Sequence, residues 1–270
     1  MEYRIMPVKL NGSTSGSVTI DAPAVAGTNT LTLPAVTDTL VGLAATQTLT
    51  GKTLTSPTIT GAALSAGTAS VAPFNLTSGT NLTTATAGAV EYDGTVFYAT
   101  PTASQRGVIM AEQIILLQSA YTLTAQTAAQ KLFNTPANGQ VTLTAGTYEF
   151  ECFYSLTAMS ATSSSYGFAL GGTATFTQFY LATADKRATL ATLQSAQTSY
   201  NVAAITTIAT ANTNTTGFAQ ISGIINVSAS GTIIPQVSLT IAAAAIVGIG
   251  SYFRIRPIGS TTVTSVGNWS

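Results

Sequence analysis

The sequence predicts a mainly β protein, and three observations support that expectation. Charged residues make up only 7% of the 270-residue chain and hydrophobic ones 46%, with Thr, Ser and Gly abundant among the rest. Thr favours strands, whereas Gly and Ser favour turns. Apolar and polar residues also alternate in many short runs. We therefore expect an N-terminal extended β segment, a short trimeric β shaft and a C-terminal jelly-roll β-sandwich.

Residues 1–45 form the first segment. Apolar and polar residues alternate at 18–20 and 31–33, which predicts two short strands, too few to build a core alone. The first residues lack the apolar stretch of a secretory signal, so we expect synthesis in a cytoplasm without export. We also expect this segment to anchor the chain to other proteins, with residues 1–20 adding strands to a neighbouring sheet edge.

Large apolar side chains recur every five residues within the second segment, 46–110. A period of five fits neither a helix at 3.6 nor a strand at 2, so we expect short strands joined by tight turns. One large side chain in five cannot offset the ordering entropy of the other four. Three copies around a common axis can, because each such side chain then meets two partners. The alternative is a flexible linker rich in Thr, Ser and Gly. The predicted trimer-axis residues are Leu49, Leu54, Ile59, Leu64 and Phe74.

A hairpin is expected later in the same segment. The runs 90–92 and 95–98 flank Asp93-Gly94, the pair that a two-residue type I′ turn prefers. Residues 101–107 then predict a loop that carries one arginine, Arg106.

Residues 111–270 predict a globular head domain. Residues 111–117 are compatible with a short helix or with a strand. About nine strand-like runs follow without interleaved helices, which is typical of a sandwich or jelly roll. These runs are 140–143, 147–156, 166–170, 173–181, 202–209, 218–227, 232–240, 245–249 and 251–258.

The scarcity of charge points to an assembly. No Asp, Glu, Lys or Arg occurs in 53–90 or 188–253, and nine basic residues balance nine acidic ones. A monomer usually keeps a charged surface for solubility, so we expect copies of the chain to cover one another. The alternative is a secreted protein with a neutral Thr/Ser surface. Neutrality argues against a nucleic-acid partner, and the longest apolar run, 241–250, is too short for membrane insertion.

The residue types argue against catalysis. The chain has no His and one cysteine, Cys152, which we expect to be buried. Triads of the Ser-His-Asp kind need a histidine base, and zinc would have only carboxylates and carbonyls as ligands. GxSxG and P-loop motifs are absent from the sequence. We therefore expect no enzyme activity and no catalytic, metal or cofactor site.

One pair of carboxylates is a candidate catalytic pair. Glu149 and Glu151 lie two apart on an expected strand, so they share one face at about 7 Å, a spacing that sugar-chain cleavage can use. The favoured interpretation is a solvent-facing polar row opposite Tyr148, Phe150 and Cys152, as in ordinary half-buried strands.

Asp185, Lys186 and Arg187 form the densest charge cluster of the head domain. They are candidates for a receptor or inter-subunit contact, and the alternative is a solvated loop tip. On the last expected strand, Phe253 and Ile255 should face the core, which puts Tyr252 and Arg254 on the opposite face.

Several parts of the chain resemble known protein families. The spacing of residues 143–150 and 250–257 resembles the tumour-necrosis-factor-like jelly roll, whose members form trimers. Other stretches are similar to bacteriophage tail-fibre and virion proteins. The stretches 107–113, 127–133 and 171–175 resemble their distal domains, 48–59 their shaft repeats, and 18–34 the segments that precede such shafts.

The resemblance implies a homotrimeric fibre on the virion surface, either a short tail fibre or a head or collar fibre. Residues 1–45 would grip other virion proteins, and the distal head would touch a host-surface glycan or protein. By analogy with the family, Tyr252 and Arg254 would line a trimer contact, although an exposed polar face is equally compatible. A capsid decoration or cement protein and a polysaccharide depolymerase are the alternative functions.

Overall fold

The computed structural model describes residues 8–11, 13–20, 53–102, 105–134, 139–185, 194–200, 206–209 and 213–260. The secondary structure in these ranges consists of antiparallel strands, with no α-helix among them. The mainly β class predicted from the sequence is thereby confirmed. The chain divides into two units, residues 1–63 and residues 64–270.

The described residues of the first unit include one antiparallel hairpin. Strand β1 (Val8–Asn11) pairs with β2 (Ser17–Ile20), with Val8 opposite Ile20. The predicted strand at 18–20 is therefore confirmed. The run 31–33 and the predicted axis residue Leu49 lie outside the described residues.

Residues 53–89 contain no strand. The short strands predicted for this part of the shaft are thus absent from the single chain. A strand is defined by hydrogen bonds to a partner strand, and the described residues of the single chain provide none here. A local turn appears instead, in which the Thr68 amide donates to the Val71 carbonyl at 2.9 Å.

A three-stranded antiparallel sheet follows this segment along the chain. The predicted hairpin is confirmed, but its turn is longer than expected, because Tyr92 lies opposite Phe97. The Asp93 carboxylate accepts hydrogen bonds from the amides of Thr95 and Val96 at 2.9 and 2.8 Å, which opens the turn to four residues. The loop predicted at 101–107 is wrong, since it belongs largely to two paired strands. The three strands are β3 (Val90–Tyr92), β4 (Phe97–Thr102) and β5 (Gln105–Ile109).

The remaining thirteen described strands form two larger sheets. They are β6 (Gln113–Leu116), β7 (Tyr121–Thr122), β8 (Gln130–Lys131), β9 (Val141–Leu143), β10 (Gly146–Thr157), β11 (Tyr166–Gly172), β12 (Thr175–Asp185), β13 (Gln194–Tyr200), β14 (Thr206–Ala209), β15 (Gly217–Ala229), β16 (Gly231–Leu239), β17 (Ile246–Val247) and β18 (Tyr252–Ser260). Every strand-like run predicted after residue 139 overlaps one of them. The ambiguity at 111–117 is resolved as a strand, β6.

The larger sheet has eight strands in the order β13-β12-β15-β10, after which β10 pairs with both β18 and β17. Strand β6 adds to β18, and β7 adds to β17. The smaller sheet runs β14-β11-β16, and β16 pairs with both β8 and β9. All of these pairings are antiparallel.

The two sheets share one hydrophobic core. Side chains of β10 alternate strictly between buried and half-buried along Gly146–Thr157, the pattern of a strand with one face on a core. Phe150 on β10 is 2% exposed, and its ring lies 6.4 Å from that of Phe168 on β11 in the other sheet. Cys152 is buried and unpaired, as the sequence predicted. This core holds the outward-facing side chains of the larger sheet in position.

Hydrogen bonds tie the three-stranded sheet to the end of β18. The Tyr98 hydroxyl lies 3.1 Å from both the Asp93 carboxylate and the Ser260 hydroxyl. The Thr95 hydroxyl donates to the Ala145 carbonyl at 3.5 Å. The bonds to Ser260 and Ala145 cross the predicted domain boundary between residues 110 and 111.

Candidate interaction surface

The outward face of the larger sheet carries a row of alternating charges. Glu149 and Glu151 project from β10 on the side opposite its buried residues, as the sequence predicted. Cross-strand register places Arg256 opposite Glu149 and Arg254 opposite Glu151. Opposite charges at directly paired positions attract across an antiparallel pair.

Both pairs are joined by short hydrogen bonds. Nη2 of Arg256 lies 2.8 Å from Oε2 of Glu149. Nη2 of Arg254 donates to Oε2 of Glu151, whose Oε1 accepts a 2.6 Å hydrogen bond from the Tyr252 hydroxyl. Each carboxylate therefore has its own arginine, and Glu151 has a phenol as well.

The environment of Glu151 is unlike that of a general acid. Burial raises the pKa of this carboxyl, but the hydrogen bonds from Tyr252 and Arg254, together with the charges of Arg254 and Arg256, outweigh burial and lower it. Sugar-chain cleavage needs one carboxyl with a raised pKa. Glu151 therefore lacks the raised pKa of a general acid, and both glutamates lie on the half-buried face of β10 as the predicted polar row requires.

An aromatic cluster adjoins the charged row on the same face. The rings of Phe153 and Tyr252 stack at 5.7 Å, and Phe218 meets Phe153 edge-on at 4.3 Å. The Arg254 guanidinium lies 5.9 Å from the Tyr252 ring, within the range of a cation–π contact. All three rings are only half-buried in the single chain.

Large apolar side chains complete this face. Ile114 lies opposite Arg254, and Leu116 lies opposite Tyr252, so both point outward; their exposed fractions are 57% and 47%. Tyr180 and Ile224 form a cross-strand pair in register with Glu149 and are similarly exposed. Exposed large apolar side chains therefore flank the charged row on both sides, from β6 on one side and from β12 and β15 on the other. We call these rows together the outer face.

The predicted orientation of β18 is confirmed. Phe253 and Ile255 are buried, whereas Tyr252 is half-buried and Arg254 exposed on the outer face. The trimer-contact role of Tyr252 and Arg254 stays a prediction. Sequence reasoning missed Ile114, Leu116, Tyr180 and Ile224, although their positions in alternating strands carried the signal.

Asp185 does not lie at an exposed loop tip. It is 2% exposed at the end of β12, and its carboxylate accepts a 2.7 Å hydrogen bond from the buried Tyr166 hydroxyl. This corrects the surface position on which its candidate contact role was based. Lys186 and Arg187 lie outside the described residues.

The predicted axis residues are exposed wherever they are described. The exposed fractions are 58% for Leu54, 65% for Ile59, 64% for Leu64 and 63% for Phe74. Large apolar side chains of a folded chain seldom all remain so exposed in succession. The described residues of the same chain thus leave these four side chains largely unburied.

Two kinds of feature are absent from the described part of the chain. It contains no cluster of three or more His, Cys, Asp or Glu side chains arranged to hold a metal ion. It also contains no helix with the length and hydropathy needed to cross a membrane.

The fold defines a class, an antiparallel β protein whose two main sheets share a core and whose larger sheet has a mixed apolar and charged outer face. No protein family, curated protein or solved structure matches this chain.

Proposed function

We propose that this chain is a structural protein of a bacteriophage virion, a homotrimeric fibre that projects from the particle as a short tail fibre or a head or collar fibre. Residues 1–45 attach it to other virion proteins, and a distal jelly-roll head binds a glycan or protein of the host surface. The protein acts mechanically, without catalysis or a cofactor, at the virion surface.

The observation that carries this proposal is the exposed apolar series Leu54, Ile59, Leu64 and Phe74. No acidic or basic residue lies between 53 and 90, so neither charge repulsion nor strong hydration opposes close approach of copies. Three parallel copies would bury these side chains against one another along a shared axis and supply the strand partners that the single chain lacks.

Strand order supports a jelly roll for the head. We count β6 with β7 as the first strand of the head, β8 with β9 as the second, and β17 with β18 as the eighth. The third to seventh strands are then β10, β11, β14, β15 and β16. In this count the order of the larger sheet is first-eighth-third-sixth. The smaller sheet runs second-seventh-fourth-fifth. This interleaving is what two Greek keys wrapped into a jelly roll produce. In this count the hairpin β12–β13 is an addition that extends the larger sheet beyond its sixth strand.

The outer face supports a second region of trimer contact. Tyr252 and Arg254 lie there beside the exposed Ile114 and Leu116. Burying such apolar side chains against a neighbour stabilises association by about 25 cal/mol per Å² of area removed from water. The Glu151 carboxylate keeps Arg254 paired, which lowers the cost of covering that charge.

The N-terminal hairpin supports attachment by strand addition. An isolated two-stranded hairpin is marginally stable in water, and the outer edges of β1 and β2 have no partner strand among the described residues. Pairing with the sheet edge of another virion protein would stabilise it.

Light scattering of the full-length protein tests the homotrimer. We expect about three times the 27.4 kDa chain mass, and a monomer mass for the double substitution Leu54→Asp and Ile59→Asp. Two exposed charges per chain at a shared axis would repel one another. The matched control is Thr58→Asp with Thr60→Asp, on exposed polar neighbours. A compact monomer for the wild-type protein would overturn the proposal.

Antibodies against the full-length protein test its place and role on the virion. We expect them to label projections on intact particles and to block adsorption to host cells. Particles that lack the protein, adsorb normally and lose stability would favour a decoration or cement role. Cleavage of host polysaccharide that is lost on Glu149→Gln would favour a depolymerase.

A further inference from the structure

The three-stranded sheet β3–β5 has its polarity reversed. In an antiparallel sheet with one covered face, apolar side chains usually face inward and polar ones face water. Here the covered face carries an ion pair, and the open face is apolar. We call the open face, made of Val90, Tyr92, Phe97, Ala99, Gly107 and Ile109, the neck face.

The covered face is built around Glu91 and Arg106. Nε of Arg106 lies 2.9 Å from Oε2 of Glu91, and each side chain is only 10% exposed. Tyr98 lies on the same face and is fully buried, with the Arg106 guanidinium 6.0 Å from the centre of its ring.

A preceding chain segment closes over this ion pair. The Leu82 amide donates to Oε1 of Glu91 at 2.6 Å, and Nη2 of Arg106 donates to the Leu82 carbonyl at 2.7 Å. The amide of Gly79 donates to the Tyr92 carbonyl at 3.0 Å. Taking such a pair out of water costs several kcal/mol per ion unless the hydrogen bonds are satisfied. The covered face is therefore fully occupied within one chain.

The described residues cover the neck face only in part. Val90 is 53% exposed and Ile109 43%. Between them the rings of Tyr92 and Phe97 stack at 4.2 Å with an angle of 15°, and both remain half-buried. None of the six residues of this face is charged. Ala99 and Gly107 lie opposite each other on β4 and β5, and their small size leaves this part of the face nearly flat.

We propose that the neck face packs against the same face of the two other copies in the homotrimer. This inference deepens the proposed function and rests on it. A face without charge offers no complementarity to a charged partner, whereas three copies of a neutral apolar face can meet at a shared axis without charge repulsion. The flat row at Ala99 and Gly107 allows backbones to approach closely.

Continuity along the chain also favours another copy over a different protein. The segment just before this sheet exposes Val71 and Phe74 by 64% and 63%. A partner that covers both these side chains and the neck face has to accompany the chain over tens of residues. A parallel copy of the same chain does so without any further requirement.

Thiol labelling tests the proposal on the full-length protein. We expect Val90→Cys and Ile109→Cys to react with a maleimide at least tenfold more slowly than Thr84→Cys. Thr84 is an exposed control on the segment that covers the opposite face. The native Cys152 is fully buried, and the wild-type protein provides its background rate.

A second measurement keeps the two proposals distinguishable. We expect Val90→Asp with Ile109→Asp to lower the melting temperature of the trimer or its mass in light scattering, whereas Thr84→Asp leaves both unchanged. Both substituted positions are exposed in the single chain, so circular dichroism should stay as in the wild type. A trimeric wild type with equal labelling rates and an unaffected double variant would overturn this inference alone. A monomeric wild type would overturn the homotrimer as well.

Discussion

Residues 53–78 and the two-sheet domain are both rich in Thr, Ala and Gly, yet they differ in what a single chain can do with them. Phe74 in the first region is 63% exposed, whereas Phe150 in the second is 2% exposed. The first region forms no strand, while β10 in the second spans Gly146–Thr157. The same residue types thus form an exposed segment without strands in residues 53–78 and a buried core in the two-sheet domain.

The density of large side chains explains the difference. On β10, Tyr148, Phe150, Cys152, Tyr154 and Leu156 place a buried group at every second position. In residues 53–78 a large side chain occurs about every fifth position, too sparsely to offset the entropy of ordering the chain. The two-sheet domain closes its core within one chain, whereas residues 53–78 carry too few large side chains to do so.

Matched phenylalanine truncations should give the largest contrast. Phe150→Ala leaves a cavity among Phe168, Phe179 and Phe253, whose rings lie 5.9 to 6.4 Å away. We expect it to cost about 3–5 kcal/mol of unfolding free energy, measured by urea denaturation. Phe74→Ala should change unfolding of the domain by less than about 0.5 kcal/mol and act on association instead. Equal costs would contradict the comparison.

Matched glycine substitutions should give a smaller contrast. Gly172 joins β11 to the connection into β12 with φ +115°, and an added Cβ would meet the Thr232 carbonyl oxygen at 2.1 Å. We expect Gly172→Ala to cost about 3 kcal/mol through backbone strain and overpacking. Gly61 also has a positive φ but has open space around it.

Urea denaturation of the two variants measures this second contrast. Gly61→Ala should leave unfolding of residues 64–270 unchanged within about 0.5 kcal/mol. If Gly172→Ala were equally harmless, the close approach of Gly172 to the Thr232 carbonyl on the paired strand β16 would be absent.

The pH dependence of Tyr98 should give the smallest effect. Burial raises the pKa of this phenol from 10.0 to about 12. Folding favours the neutral form of this phenol. Its contribution to the free energy of unfolding is therefore complete below about pH 10 and declines as the pH rises towards 12. Tyr98→Phe should lose less stability over that interval than the wild type, measured by urea denaturation at a series of pH values. The control is Tyr180→Phe, at an exposed hydroxyl, and a slope for Tyr98→Phe equal to the wild type would contradict the burial.

Local patterns predicted much of the fold. Alternation along residues 147–156 correctly separated the buried Phe150 from the outward Glu149 and Glu151, because strand geometry sends successive side chains to opposite faces. The same rule oriented β18. The four-residue turn at Asp93 was missed, since its side chain competes with the backbone for the turn amides.

The predictions that were wrong concern residues whose hydrogen-bond partners lie elsewhere in the chain. Arg106 was placed in a loop, but its pairing with Glu91 and Leu82 makes it part of a covered sheet face. Asp185 was placed at the surface, but Tyr166 on another strand binds its carboxylate in the interior. None of these three partners is indicated by the residues next to Arg106 or Asp185.

By itself, the sequence determined the β class, the alternation of faces within each strand and the sparseness of large side chains in residues 53–78, because these follow from local composition and spacing. Only the tertiary structure decided which strands pair and which charges meet, as for Glu149 and Arg256, which are 107 residues apart. It also decided that the small sheet buries its ions and exposes its apolar face. Such choices depend on the free energy of the whole packed domain, in which contacts distant in sequence compete, and no local pattern encodes that competition.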